Sequence, residues 1–227
     1  MGRTAAIIGP NGLIGSFLTD LLLKSKRYDK VLVYSRRQLE FEHPKMVRLE
    51  VNFDDLDSIS SNLICDDFYC CLGTTMSKAK SKKEFKKVDY DYVVQSANIA
   101  LKNGATKIVV VSSVGANASS SNFYLKTKGK MEEAICNLTF EQIHLFRPSF
   151  LLGSRQEFRF KEIISLPLLR IASLLFTGKN KVYKPISAEL VANAMFNCLD
   201  KNTQNGIYYY DFNQIKDITS PYERINL

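Results

Sequence analysis

The chain of 227 residues predicts an α/β fold, a doubly wound parallel sheet with helices on both faces. Three observations predict it. Apolar runs of strand length alternate with helix-length segments along the chain. The runs at 30–34 and 107–112 are uniformly apolar in their middles, which suits strands covered on both sides rather than a sheet with one wet face. The first run, Ala5-Ala6-Ile7-Ile8, breaks into Gly9-x-x-Gly12-x-x-Gly15, a tight turn opening a helix.

In chain order, the run at 4–8 is the first strand and 13–24 the helix that its glycine turn opens. Val31-Leu32-Val33 centres a second strand at 30–34, and a third follows at 47–51. A helix at 56–63 leads to a fourth strand at 67–72, and a long helix at 84–103 leads to the fifth at 107–112. A helix at 123–137, a sixth strand at 142–146, a helix at 188–200 and a last strand at 207–210 complete the series. No repeat, low-complexity tract or linker interrupts it, so residues 1–227 read as a single domain. Composition shifts once, after Pro148, where the Phe/Leu-rich stretch 149–185 reads as a small region covering a substrate. Within it, 163–176 is broken by Pro167 and Arg170 and reads as a helical flap rather than a membrane-surface patch.

Composition narrows the function classes. A hydrophobic fraction of 45% with 24% charged residues is ordinary for a soluble globular protein. Five cysteines, an odd count without zinc-like spacing, point to a reducing compartment rather than a disulfide framework. Cys70 and Cys71 read as strand packing. His43 and His144 stand alone, which argues against a metal site. The chain enters its first strand directly, leaving no room for a presequence, and no apolar stretch reaches the ~18 residues of a membrane span. The net charge of +8 owes much to Lys78, Lys80, Lys82, Lys83, Lys86 and Lys87. No interleaved aromatics accompany these lysines, so nucleic acid is not the expected partner, and the field suits an anionic cofactor or substrate.

The chemistry-bearing residues follow strand ends. At Gly9, Gly12 and Gly15, with Asn11, Leu13 and Ile14 between them, backbone N–H groups and a helix N-terminus can meet a pyrophosphate. The second strand runs into Ser35-Arg36-Arg37, with no carboxylate until Glu40. A basic turn there accepts the 2′-phosphate of NADP by charge-assisted hydrogen bonds; a basic surface turn is the plainer alternative. Asn52 and Phe53 occupy the place where a polar side chain and a backbone amide meet the adenine edge, while Asp54 suits a helix cap. Leu72-Gly73-Thr74 follows the fourth strand, its glycine allowing the backbone close to the cofactor ribose. The fifth strand ends in Ser112-Ser113, and Tyr124-x-x-x-Lys128 follows on one helical face. An ammonium beside a phenol favours the phenolate, so such a Tyr can exchange a proton with a substrate oxygen that a serine holds. A Tyr-x-x-x-Lys pair arises readily by chance in a Lys-rich chain, so its weight comes from its position after a Ser-ended strand.

Together these residues resemble the short-chain dehydrogenase/reductase superfamily in its atypical branch. The segments Cys70-Cys71-Leu72-Gly73-Thr74-Thr75, Val88-Asp89-Tyr90-Asp91-Tyr92-Val93, Ser119 to Tyr124 with Lys128-Gly129, Phe146-Arg147-Pro148 and Arg155-Gln156-Glu157 are similar to the Tat-interacting-protein oxidoreductase family. The resemblance implies a Rossmann-like domain that binds NADPH, with Ser113, Tyr124 and Lys128 as the catalytic set. Asn52 departs from it, since relatives often carry aspartate at the adenine edge, and the spacing from Ser113 to Tyr124 is short.

The expected function is NADPH-dependent reduction of a small carbonyl compound. The alternatives are a non-enzymatic NADPH-responsive regulatory protein and an NAD(P)-dependent epimerase or dehydratase. A protein partner or homo-oligomer stays open. The expected location is cytoplasmic, with the mitochondrial association of fungal relatives as the other possibility.

Overall fold

Side chains alternate across a strand, and here both faces of the central strands are apolar. Ala5 and Ile7 of β1 (Thr4–Ile8) enter one core, while Ala6 and Ile8 enter another. The computed structural model describes residues 2–36, 41–56, 61–152, 183–201 and 204–219. After β1 come β2 (Lys30–Ser35), β3 (Met46–Glu50), β4 (Asp67–Cys70), β5 (Lys107–Val111) and β6 (Gln142–Phe146). The short pair β7 (Leu151–Leu152) and β8 (Ile186–Ser187) and the strand β9 (Gly206–Tyr210) follow. Seven strands form one sheet in the order β3-β2-β1-β4-β5-β6-β9, every neighbouring pair parallel.

Parallel neighbours need crossover segments, and helices supply them on both faces. The described helices are α1 (Leu13–Lys24), α2 (Met76–Ala79), α3 (Lys82–Lys86), α4 (Tyr92–Lys102), α5 (Phe123–Cys136) and α6 (Ala188–Lys201), with α7 (Phe212–Thr219) following the last strand. Leu18 and Leu22 seat α1 on Ile7 and Val33, in one core with Val191 and Met195 of α6 and Ile215 of α7. Val93 and Ala97 of α4 and Met131 and Ile135 of α5 cover the other face, over Ile8, Phe68 and Val110. Leu18 and Leu22 lie one turn apart and are wholly buried, so truncating either to Ala costs about 2–5 kcal/mol. The fold is Rossmann-like. From β1 the chain first winds towards β3 and then returns to β4 on the other side, which opens a crevice at the carboxyl ends of β1 and β4.

Three expectations need correction. The helix expected at 84–103 is α3, then a π-helical turn at Lys87–Asp91, then α4. No helix is seen at 61–63, where the Leu63 carbonyl accepts a hydrogen bond from Asn103 Nδ2 at 3.0 Å; residues 57–60 lie outside the described residues. The strand expected at 67–72 ends at Cys70, because the Cys71 N–H takes a last bond to the Ile8 carbonyl and the chain then leaves the ladder. The flap expected at 163–176, and most of 149–185, lie outside the described residues.

Candidate functional site

The glycine turn is dictated by sterics. Gly9 has φ +83°, and a Cβ there would lie 2.7 Å from the Cys71 carbonyl carbon. A Cβ on Gly15 would lie 2.1 Å from the Gly9 oxygen, so α1 can start this close to β1 only with glycine. The Gly12 N–H closes the turn on the Gly9 carbonyl at 3.0 Å. No side chain among the described residues caps the start of α1, and its first turn holds no acid. Its leading amides and dipole therefore face the crevice open to an anion. The Leu13 and Ile14 side chains pack into the core.

Asn11 Nδ2 donates to Ser35 Oγ at 2.8 Å and ties the turn to the end of β2. Arg36 is exposed, its guanidinium carbon 5.8 Å from the Phe53 ring centroid; Arg37 lies outside the described residues. Asn52 is exposed and accepts the Asp54 N–H at 3.0 Å. Phe53 is buried against Tyr92, ring centroids 5.4 Å apart. Asp54 ion-pairs with Lys87 at 2.6 Å and accepts from the Tyr92 hydroxyl. These hydrogen bonds from Lys87 and Tyr92 hold the Asp54 carboxyl below the usual carboxylate range. Phe53, Asp54, Lys87, Asp91, Tyr92 and Gln95 line a groove of about 240 Å³.

Leu72-Gly73-Thr74 leaves the end of β4 as a loop, and Asp89, to which the sequence reading gives no role, fastens it. Asp89 is almost wholly buried in the π-helical turn. Its Oδ2 accepts the Thr74 N–H at 2.8 Å, and its Oδ1 lies 2.8 Å from Lys128 Nζ. The Lys128 side chain is 4% exposed. Burial disfavours its ammonium, but Asp89 and the Tyr124 phenol outweigh burial and hold it above the ordinary lysine value. A Cβ on Gly73 would sit 3.5 Å from Asp89 Oδ1 and 3.9 Å from Lys128 Nζ, so the loop passes directly over the pair. In the sequence Asp89 stands among Lys86, Lys87 and Asp91, so no local pattern singles it out from its charged neighbours.

The short span between Ser113 and Tyr124 closes by folding onto α5. The Asn117 N–H donates to the Leu125 carbonyl at 3.1 Å. A Cβ on Gly129 would lie 2.1 Å from the Ala118 nitrogen, so that glycine admits the crossing loop. Ser113 is half-buried and donates to the Val114 carbonyl at 3.3 Å rather than to Tyr124. Its neighbour Ser112 is buried, with Oγ lacking a hydrogen-bond partner among the described residues. Tyr124 is half-buried, its ring 5.4 Å from that of the fully buried Phe85 on α3. Tyr124, Lys128 and the Gly73 loop thus converge, while the Ser113 hydroxyl turns to its own chain.

Cys65, Cys70, Cys71 and Cys136 form no disulfide, and burial pushes the Cys70 thiol up to about 12. Among the described residues no cluster of three metal-ligating side chains occurs, and no helix is long and apolar enough to cross a membrane.

The model of the HIM1 family matches residues 24–180. The chain belongs to the HIM1 family. This HIM1-family chain is 38% identical over 156 residues to "Protein FMP52, mitochondrial" of Candida albicans, covering 66% of this chain and 68% of that protein. It is 37% identical over 161 residues to "Protein HTATIP2" of Rattus norvegicus, covering 69% of this chain and 66% of that protein. The second match bears out the resemblance to Tat-interacting proteins. Among solved structures, the Bordetella bronchiseptica enzyme WbmH in complex with NAD+ superposes with a TM-score of 0.68 at 17% identity, over 100% of this chain and 83% of that one. At that identity the likeness is one of fold.

Proposed function

We propose that this HIM1-family chain is an NADPH-dependent oxidoreductase that reduces a small carbonyl compound with Ser113, Tyr124 and Lys128. The observation that carries the reading is the convergence of Tyr124, Lys128 and the Gly73 loop beside the glycine turn, at the switch point of the sheet. Two features fit a dinucleotide there: the uncapped start of α1 and the buried, orphaned Ser112 hydroxyl. WbmH, alike in fold, was solved with NAD+, which supports a nicotinamide cofactor. Exposed Arg36 after buried Ser35, with Arg37 next in sequence, supports the 2′-phosphorylated form.

In this reading Gly9, Asn11, Gly12, Leu13, Ile14 and Gly15 hold the pyrophosphate, chiefly through backbone amides, and Ser35, Arg36 and Arg37 hold the 2′-phosphate. Asn52 and the Phe53 amide meet the base; Leu72, Gly73, Thr74 and Lys128 meet the sugar. When bound, the reduced nicotinamide supplies hydride to the carbonyl carbon. Tyr124 gives its phenolic proton to the carbonyl oxygen, and Lys128 stabilises the phenolate left behind. Ser113 turns from the Val114 carbonyl to hold that oxygen in place. Residues 149–185 cover the substrate within a single domain, 1–227. Relatives named as mitochondrial support an association with mitochondria.

The test is NADPH oxidation followed by absorbance across a panel of carbonyl compounds. Tyr124→Phe is expected to lower turnover by about 10²-fold or more while NADPH still binds. NADPH binding at least about tenfold tighter than NADH, with the preference erased in Arg36→Ala, supports the 2′-phosphate assignment. Equal affinities for the two nucleotides rule that assignment out. Tight NADPH binding without turnover across the panel overturns the enzymatic part and leaves a nucleotide-responsive binding protein.

A further inference from the structure

We infer that Asp89 is a positioning residue of this site: its carboxylate clamps the Gly73-Thr74 backbone to the Lys128 ammonium, so that loop and helix meet the nucleotide as one rigid unit. The inference rests on the proposed reading of Lys128 and Gly73 and adds to it the residue that sets both. Thr74 lies on the loop after β4, Asp89 on the π-helical turn and Lys128 on α5, so one side chain joins three segments. Its two oxygens divide the work, one on the Thr74 N–H and one beside Lys128 Nζ, each at 2.8 Å. Both charged side chains are almost fully buried, at 1% and 4% exposure. A buried ion pair is a poor source of net stability compared with apolar packing, so its specific geometry is what such a pair contributes.

The titratable groups acting on Lys128 come from each element packed around it. Asp89 faces it from the π-helical turn, Tyr124 from its own helix and Cys70 from β4. The Cys70 thiol, pushed up to about 12, stays neutral at working pH, and Asp89 supplies the opposing charge. An Asn in its place can accept from only one of the two donors, because its NH₂ then faces the other, donor against donor. The buried ammonium would lose its counter-charge and release its proton more readily.

The test uses the full chain, first without nucleotide. Lysine ¹³Cε NMR signals are titrated, with Lys128→Met identifying the Lys128 signal, and amide exchange is measured at Thr74. Asp89→Asn is expected to bring the Lys128 titration down by at least about one pH unit and to speed Thr74 exchange about tenfold or more. Asp89→Glu, which keeps the charge, restores the Lys128 titration. NADPH affinity in Asp89→Asn is expected to fall about tenfold at pH 7 and further towards pH 9, whereas the wild type holds steady over that range. A folded Asp89→Asn with Lys128 titration and Thr74 exchange unmoved overturns the inference. If Asp89→Asn does not fold, Asp89→Asn with Lys128→Met decides. A folded double variant shows that the carboxylate answers to Lys128; an unfolded one shows that it serves packing alone and overturns the inference. The titration and exchange need neither nucleotide nor turnover, so their failure and the failure of the reductase reading are separate results.

Discussion

Two buried carboxylates flank β4, and they are used differently. Asp67, at its amino end, is enclosed by fixed side chains: Arg3 reaches both oxygens at 2.8 and 2.7 Å, and the Tyr28 hydroxyl donates at 2.6 Å. The network continues to Tyr69, whose hydroxyl is 2.9 Å from that of Tyr28, and to Arg27, stacked 5.7 Å over the Tyr28 ring. Burial outweighs these partners and pushes the Asp67 carboxyl above its usual value. Asp89, beyond the carboxyl end, has a backbone amide of a crossing loop and one ammonium. In the first arrangement both carboxylate oxygens are bonded to side chains. The second ends on groups that themselves face the crevice. An acid with a cation makes either a foundation or a joint, according to whether its remaining partner is a side chain of the core or the backbone of a loop.

The largest expected break between the two ends comes from their glycines. Gly15→Ala places a methyl 2.1 Å from the Gly9 oxygen, so α1 must back away from β1. We expect a loss of about 3 kcal/mol or more in urea unfolding, and NADPH binding weakened about 100-fold or more by titration. Gly104, at the amino end, has φ +96° with nothing within 4 Å of a built Cβ. Gly104→Ala therefore carries only the left-handed strain, about 1–2 kcal/mol, and leaves nucleotide affinity unchanged. Equal effects of the two variants on affinity would contradict the assignment of the crevice.

Tyr28→Phe sharpens the same contrast at intermediate size. It removes the hydroxyl between Asp67 and Tyr69, which costs about 1–3 kcal/mol of stability without a change in NADPH affinity. The smallest effect is one of pH. His144 is wholly buried, 2.8 Å from the Tyr210 hydroxyl, and burial, with Lys107 assisting, pushes its imidazole down to about 3. The unfolded chain takes up this proton near pH 6.5, so the contribution is complete above that pH and is lost as the pH falls towards 3. Urea unfolding between pH 7 and 5 should show a slope of up to about 1.4 kcal/mol per pH unit that His144→Gln removes.

The sequence reading of the fold succeeded where burial is two-sided. The bounds of β1, α1 and β6 match at both ends, because a doubly covered strand is a plain apolar run and the glycine turn leaves its helix no other start. The edge strand β9 hides its character: Ile207 and Tyr209 are exposed, yet an Ile-Tyr-Tyr-Tyr run shows no polar alternation. The helix α2 has four residues, too few for periodicity, although Thr75 caps it from the Lys78 N–H. In α7 the spacing of Phe212, Ile215 and Ile218 was present but sparse among polar neighbours. In the site, steric demands were legible at Gly9 and Gly15, as was the shared face of Tyr124 and Lys128. The link from Thr74 through Asp89 to Lys128 was not, because a one-residue widening of a helix barely disturbs its apolar pattern.

That widening has a consequence for chain length. Deleting one residue between 87 and 91 would let the segment wind as ordinary α-helix, which closes each turn with one residue fewer, so α3 and α4 would keep about their present phase while the residues inside the turn would take new directions. Asp89 would leave its place between the Thr74 amide and Lys128, although Phe85 still packed on the Tyr124 ring. Selection on this stretch therefore acts on how many residues it contains as well as on which ones.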